Sequence, residues 1–542
     1  MIPRSAILCL LATVFVGAQT PVILISVDTL RGDRVGPGTP GIGSFGEHGT
    51  TFTSALSQIP LTLPSHTTLL TSTLPFENHV EENAGVVPRG LITLASVLKD
   101  HGYKTGAFIG SVFLERRLGL DAGFDTYDSP FDYAAFSRLS GEMLFAGRPG
   151  QAYSARERRA GALVLRSANQ WLAAHRGEAV FLFIHLFDMH KPWRQPTYDA
   201  QLQSVDRLLG EFQQTLKREG WWDRSLVVVT ADHGEGLGDH GESDHGYFIY
   251  DSTMHVPLIV HWPQGTTSMP ARVTQPTGLI DVAPSILDFL RIPAPTAFRG
   301  RSFLGGSTRP VFGESVYARD SFGWSALRSL REGPWKYIDA PRPELYDLSK
   351  DPRELQNLVR INPSQSARLK QELAKYAAPP ATPVSSVNKK VLESLGYLAP
   401  GPKATSRSPA ADPKDRLPEL LRYENALTLL QQKRAPAAIA ILRSILAADP
   451  RNLLARRDLG VALVEQKKFA EALIELGQVA NASQGDYITL YELGLAHESL
   501  ARYPEALASL EAACAAAPGA AQCQDALTRV RQHIAGTVPK TQ

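Results

Sequence analysis

The sequence predicts an α/β protein: a mixed sheet sandwiched by helices, then a small antiparallel subdomain, then an all-α repeat array. Three observations predict it. Four apolar, β-branched runs have the continuous character of strands buried on both faces. Stretches with a helical apolar period separate those runs, and that alternation builds a sheet covered by helices. Near the C-terminus the residues recur every 34 positions, which marks stacked helical units.

The first run, "PVILISVDT" (Pro21 to Thr29), ends in a carboxylate and so carries Asp28 to the C-terminal end of a strand. "AVFLFIHLFD" (Ala179 to Asp188) and "SLVVVTADHGE" (Ser225 to Glu235) repeat the pattern, and "VPLIVHWP" (Val256 to Pro263) is the fourth run. Helices are expected over Leu91 to His101, Arg156 to Ala174 and Ala200 to Gly220. Ligands of such sheets gather beyond the carboxyl ends of the strands. Asp28, Asp188 and Asp232-His233 are all placed there. From Arg309 the runs shorten to "RPVFGES", "SALRS", "PWKYI" and "ELYDL", an antiparallel sheet with a terminal helix. "LAPGPKATSRSPAADPKDRLP" (Leu398 to Pro418) has no apolar period and reads as a linker. The expected organisation is an α/β domain over 19–308, a subdomain over 309–398, a linker over 399–418 and repeats over 419–536.

Past the linker, Leu459-Gly460 recurs as Leu493-Gly494, and "FAEAL" from Phe469 recurs as "YPEAL" from Tyr503. "AADP" ending at Pro450 returns as "AAAP" ending at Pro518, two periods later. The pattern resembles the tetratricopeptide repeat, in three copies, the first with Ala426 where the others have glycine. That resemblance implies a concave surface for a protein or peptide partner. The plainer alternative is that the repeats only pack on the neighbouring domain or dimerise.

At 43 % hydrophobic and 20 % charged residues, the chain has material for a large core. Its net charge of +2 provides no global field for nucleic acid or for a membrane surface. Arg4, the apolar run "AILCLLATVFVG" and Val16-Gly17-Ala18 read as a signal peptide over 1–18, too short to span a bilayer. No second stretch reads as a membrane helix. A periplasmic or secreted protein is therefore expected. Beyond that segment the cysteines are Cys514 and Cys523, either joined in a non-reducing compartment or simply two small buried helix residues.

Each polar residue at the strand ends has an ordinary explanation. Asp28 could be a turn residue, "ADHGE" a capped turn, and His245 a half-buried histidine. Thr62, at the head of "TLPSH", could cap a helix. Together, though, these acids and imidazoles would repel one another unless a cation sat among them. The segments "VDTLRGDRVG", "LTLPSHTTLLTS", "HLFDMHKPW", "TADHGEGLGDHGE" and "HGYFIYDSTMHVPLIV" stand in an order and spacing similar to the sulfatase family of the alkaline phosphatase superfamily. "GLIDVAPSILDFLRIP", "RGRSFL", "PWKYI" and "ELYDLSKDPRELQNL" resemble its later part, so the likeness runs from Pro21 to Leu398.

The resemblance implies a metal-dependent hydrolase of anionic esters, with a departure at the nucleophile. Sulfatases begin their C/S-x-P-S-R motif with a residue that is oxidised to formylglycine. Here the motif reads Thr62-Leu63-Pro64-Ser65-His66. A secondary alcohol oxidises to a ketone, so Thr62 cannot become formylglycine. Threonine is instead the direct nucleophile in relatives acting on phosphodiesters and phosphonates, where a metal activates the hydroxyl. By resemblance to two-metal members, one site would comprise Asp28, Thr62, Asp232 and His233. The other would comprise Asp188, His245 and a further histidine, for which His190 is the nearest substitute. An imidazole in the set favours zinc or manganese over calcium. His190 could alternatively contact the ester, and Lys191 could pair with its negative charge. The reading from a different class is a catalytically silent domain that serves as a platform for the repeats.

Overall fold

The computed structural model describes residues 19–83, 85–131, 158–266, 269–306, 309–376, 410–483, 487–516 and 521–536. The predicted signal peptide, and the predicted linker up to residue 409, lie outside the described residues.

Five parallel strands form the core of the main sheet. They are β1 (Val22–Val27), β3 (Lys104–Phe108), β4 (Thr126–Asp128), β5 (Val180–Leu186) and β6 (Leu226–Thr230), in the spatial order β4-β3-β5-β1-β6. All six residues of β1 and all seven of β5 are buried, as expected of strands covered on both faces. β7 (His255–His261) runs antiparallel to β6 and pairs with the antiparallel β2 (Thr50–Leu56). β8 (Arg272–Val273) and β9 (Thr277–Gly278) pair in parallel with β2, which makes the sheet mixed.

The register sets the level of the site. Ser26 on β1 pairs with His185 on β5 and with Thr230 on β6. Two residues further on, Asp28 therefore stands level with Asp232 on one side and with Phe187 on the other. Asp188 is one residue out of step. Because side chains alternate faces along a strand, a one-residue offset turns a side chain to the opposite face.

The expected helices form over Leu94–Asp100, Gly161–Ala174 and Tyr198–Arg218, with residues 158–160 preceding the second helix rather than belonging to it. Thr197 caps Tyr198–Arg218 by accepting from the Ala200 N–H at 3.1 Å. Inside that helix the buried Asp206 accepts the Gly41 and Ile42 amides at 3.0 and 2.7 Å, which ties down the 40–43 turn. The predicted small strands are β10 (Val311–Ser315), β11 (Leu327–Glu332), β12 (Trp335–Asp339) and β13 (Glu344–Asp347), all antiparallel and followed by helix Pro363–Leu373.

The repeat array consists of the helix pairs Leu417–Gln431 and Ala435–Ala448, Leu453–Glu465 and Phe469–Ser483, and Tyr487–Ser499 and Tyr503–Ala516, followed by Ala521–Ile534. The glycine recurrence has a steric cause. A Cβ on Gly460 would sit 2.4 Å from Leu476 Cγ, and one on Gly494 would sit 2.6 Å from Leu510 Cγ. Glycine costs a helix about 1 kcal/mol relative to alanine, but it lets the paired helices close up.

Residues 410–418 are not a free tether. Ser325 N–H donates to Ala411 O at 2.9 Å, Arg342 N–H donates to Asp412 at 2.9 Å, and Lys414 pairs with Asp412 and Glu344. The cause is apolar burial. Tyr247, Phe248, Tyr317 and Phe322 of the preceding chain share one hydrophobic core with Leu420 and Tyr423 of the first repeat helix. A disulfide between Cys514 and Cys523 joins helix Tyr503–Ala516 to the helix Ala521–Ile534 that follows the last pair.

Candidate active site and metal centre

The "TLPSH" segment opens helix Thr62–Thr71, but Thr62 is not its cap. Leu61 occupies that position, without a side-chain cap bond. The Thr62 hydroxyl instead donates to Asp28 Oδ2 at 3.2 Å. The early helix amides are handled otherwise: Leu63 N–H donates to Asn83 Oδ1 at 2.9 Å, and Pro64 has none to satisfy. Ser65 Oγ donates to Asp232 O at 2.7 Å, which locks the end of β6 to this helix. His66 Nδ1–H donates to Thr62 O at 2.7 Å, and its Nε2 lies 2.9 Å from Ser26 Oγ on β1. Each polar residue of the segment thus braces Thr62 or what it faces.

Asp28, Thr62, Asp232 and His233 are fully buried. Asp232 Oδ1 accepts the Thr29 and His233 amides at 3.2 and 2.8 Å. His233 Nδ1–H donates to Gly234 O at 2.9 Å, so the ring in its neutral form carries its lone pair on the inward-facing Nε2. Asp28 Oδ1, Asp232 Oδ2 and His233 Nε2 have no hydrogen-bond partner. Their ligand atoms lie within 4.8 Å of one another. Three unsatisfied buried acceptors facing one point are costly unless a cation neutralises them, so these residues fit a divalent metal. An imidazole held at its far nitrogen by a backbone carbonyl is the usual arrangement of a metal-ligating histidine. Burial pushes the Asp28 carboxyl up to about 6, and the imidazole of His233 draws it partly back.

The second predicted ligand set is not assembled around Asp188. As the register requires, the Asp188 carboxylate faces away and accepts the Gly161 N–H at 2.8 Å, where helix Gly161–Ala174 begins. His245 does reach the centre: its Nδ1–H donates to Glu235 Oε1 at 3.2 Å, and its ring lies 4.4 Å from that of His233. The His190 ring stacks on Phe187 at 4.4 Å and meets His245 edge-on at 5.3 Å. Its Nδ1–H donates to Lys191 O at 2.7 Å. Lys191 Nζ bonds Asp244 Oδ1 at 2.7 Å and also Ser243 O. His190 and Lys191 therefore sit beside His245, on the border of the cluster.

The family model described as Sulfatase matches residues 21–292, just over half of the chain. The chain belongs to the sulfatase family. The tetratricopeptide repeat model matches residues 429–493. Among curated sulfatases, arylsulfatase K of Bos taurus is 29 % identical over 192 residues, 32 % of this chain and 35 % of the relative. N-acetylglucosamine-6-O-sulfatase of Bacteroides thetaiotaomicron is 28 % identical over 195 residues, 32 % of this chain and 33 % of the relative. These matches span about a third of the length of each relative. Among solved structures, the phosphonate monoester hydrolase of Agrobacterium radiobacter superposes with a TM-score of 0.54 at 20 % identity, covering 66 % of this chain and 95 % of that one. A 2-O GAG sulfatase superposes at 0.53 and 17 % identity, covering 66 % and 92 %. Both likenesses establish the sulfatase fold.

Four residues of this sulfatase centre escape the sequence reading. His185 Nε2–H points at Asp28 Oδ2 from 3.4 Å, and Glu235 holds His245. Arg31 donates to the carbonyls of Glu235 and Gly236 and pairs with Asp33 and Asp239, pinning the loop after His233 to the end of β1. The Ser26 hydroxyl donates to His66 Nε2 at 2.9 Å. His185 had a signal, because it is an imidazole inside a run of apolar strand residues that also ends in a carboxylate. His66, His185 and Asp232 form a second group of close ligand atoms. Both nitrogens of His66 already have partners, however, so it serves as a brace. Burial holds His66 down to about 3 and His185 to about 4, and both are neutral at physiological pH.

Proposed function

We propose that this protein is an exported metal-dependent hydrolase of sulfate- or phosphate-type esters that uses Thr62, unmodified, as its nucleophile. The observation that carries it is the Thr62 hydroxyl bonded to Asp28 at 3.2 Å beside the unpaired atoms Asp28 Oδ1, Asp232 Oδ2 and His233 Nε2. A divalent cation held by Asp28, Thr62, Asp232 and His233 would make the hydroxyl more acidic and offset the charge developing on the ester. Asp28 Oδ2 is placed to take the threonine proton. A bond then forms between Thr62 Oγ and the phosphorus or sulfur, the ester oxygen departs and takes up a proton, and water cleaves the enzyme ester. The bonds made by Asp232 Oδ1, Ser65 and His66 hold these groups without motion, which is where the protein's own contribution lies. His190 and Lys191 border the centre and suit the anionic ester. A silent platform would have no physical reason to keep unpaired Asp28 and Asp232 side by side.

Zinc or manganese suits the imidazole in the set better than calcium does. Export draws support from the signal-like N-terminal pattern and from the Cys514–Cys523 disulfide, which needs a non-reducing compartment. No described helix is long and apolar enough to cross a membrane. The repeats supply a surface for a protein or peptide partner.

The test compares wild type with Thr62→Ala and Thr62→Ser on aryl sulfate, phosphate monoester, phosphodiester and phosphonate substrates, with metal content measured on each protein. Thr62→Ala should lose on the order of 10³-fold in turnover while staying folded, and the serine variant should keep part of it. Acid quench should leave the phosphoryl group on the peptide containing Thr62. Full turnover in Thr62→Ala would sink the nucleophile.

A further inference from the structure

The first repeat helix, Leu417–Gln431, does not stand apart from the site. It lies against the 239–246 loop, which carries Asp244 and His245. At Gly241, where φ is +82° and glycine is favoured, an added Cβ would come within 2.3 Å of Leu417 Cδ2, so the loop and the start of the helix are packed against each other there. Directly after Tyr423, and one turn on from Leu420, the helix presents Glu424 to the loop. The Ser243 hydroxyl donates to Glu424 Oε2 at 3.4 Å. The Ser243 carbonyl and the Asp244 carboxylate are the two groups that hold Lys191 Nζ, whose cation also lies 5.4 Å over the Trp193 ring. A continuous chain of contacts therefore runs from the repeat module through Glu424, Ser243 and Asp244 to Lys191.

We propose that Glu424 is a positioning residue for Lys191, so that the repeat module forms part of the wall of the ester site rather than a tethered recruiting arm. The role of Lys191 toward the ester rests on the function proposed above; the positioning of its ammonium group does not. The carboxylate keeps the Ser243–Asp244 turn in the one geometry that offers Lys191 both a carbonyl and a carboxylate. Without it, a lysine with four rotatable bonds has many other places to go.

The test uses the full chain with Glu424→Ala, Glu424→Gln and Ser243→Ala. Two readouts are taken: the kcat and KM split on whichever ester the wild type turns over, and the rate at which acetic anhydride labels Lys191, followed by mass spectrometry. Positioning predicts that Glu424→Ala and Ser243→Ala raise KM by roughly three- to tenfold with kcat within about twofold. It also predicts that Lys191 in those variants is labelled roughly threefold faster. Glu424→Gln still accepts from Ser243 and should restore most of both values. Charge alone predicts the reverse, since neutralising a carboxylate beside an anion site lowers KM in both Glu424 variants, and that result would overturn the proposal. So would unchanged KM and labelling in a folded Glu424→Ala. Labelling needs no turnover, so an inactive wild type would count against the hydrolase and leave the positioning of Lys191 to be decided by its labelling rate.

Discussion

Two aspartates close together in sequence character, Asp188 and Asp232, part company because of one step in strand register. Asp232 stands level with Asp28 and leaves Oδ2 unpaired, whereas Asp188 faces the other way. Residue type and position at a strand end were legible in the sequence; the pairing register that decides the face was not. A second residue shows what burial does without any function attached. Glu314 on β10 is buried, accepts the Phe76 N–H at 3.2 Å, and is pushed up to about 8 by burial first and by Glu81 next, with Arg328 and Arg319 pulling back. Its folded value lies above the unfolded value near 4.5, so its protonated form favours the fold. That stability is fully present below about pH 4.5 and is lost as pH rises toward about 8. Glu314→Gln should remove this dependence, gaining on the order of 2–4 kcal/mol over wild type at pH 8.5 and little at pH 4.5. Thermal denaturation at the two pH values checks it. Equal gains at both would mean that Glu314 stays ionised in the fold.

At the scale of elements, the strands that read most clearly are those buried on both faces. Continuous apolar runs gave β1, β5, β6 and β7 to within a few residues, and the short alternating runs gave β10 to β13. β2, β3, β4 and the two-residue β8 and β9 were missed. "KTGAF" of β3 contains an interior glycine, and β4 is three residues long, so neither has enough pattern to stand out. β3 needs its glycine, because a Cβ on Gly106 would fall 2.8 Å from the Trp171 ring of the covering helix. That same helix, Gly161–Ala174, separates the structural role of Asp188 from a metal role. As an acceptor at a helix start, Asp188→Asn should cost about 1 kcal/mol of stability and leave metal content unchanged. His233→Ala should instead lower metal content while barely moving the melting temperature of the metal-free protein. Plasma emission analysis together with calorimetry distinguishes them, and metal loss in Asp188→Asn would return that carboxylate to the ligand set.

At the scale of the whole molecule, composition pointed to a linker over 399–418, and within its described part, 410–418, apolar burial on the neighbouring surfaces fixes the chain in place. A segment rich in proline, alanine and lysine is compatible with a tether, but nothing local reveals that Tyr247, Phe248, Tyr317 and Phe322 wait for Leu420 and Tyr423. The ring of Tyr423 meets Phe322 edge-on at 5.6 Å, and its hydroxyl reaches Asp458 in the next repeat. Each such side chain contributes about 1.5–3 kcal/mol when fully buried, so several of them exceed what a surface contact between independent domains offers. Ending the chain between residues 399 and 409 would expose this face. The shortened protein should bind a hydrophobic dye, melt several degrees lower than the full chain by the scale of about 2–4 °C per kcal/mol for large domains, and tend to associate. Adding back the separately produced repeats should restore the melting temperature, because the face they cover is unchanged. A fragment that melts with the full chain and binds no dye would mean that the shared core contributes nothing, and that the repeats are the free appendage the linker composition suggests.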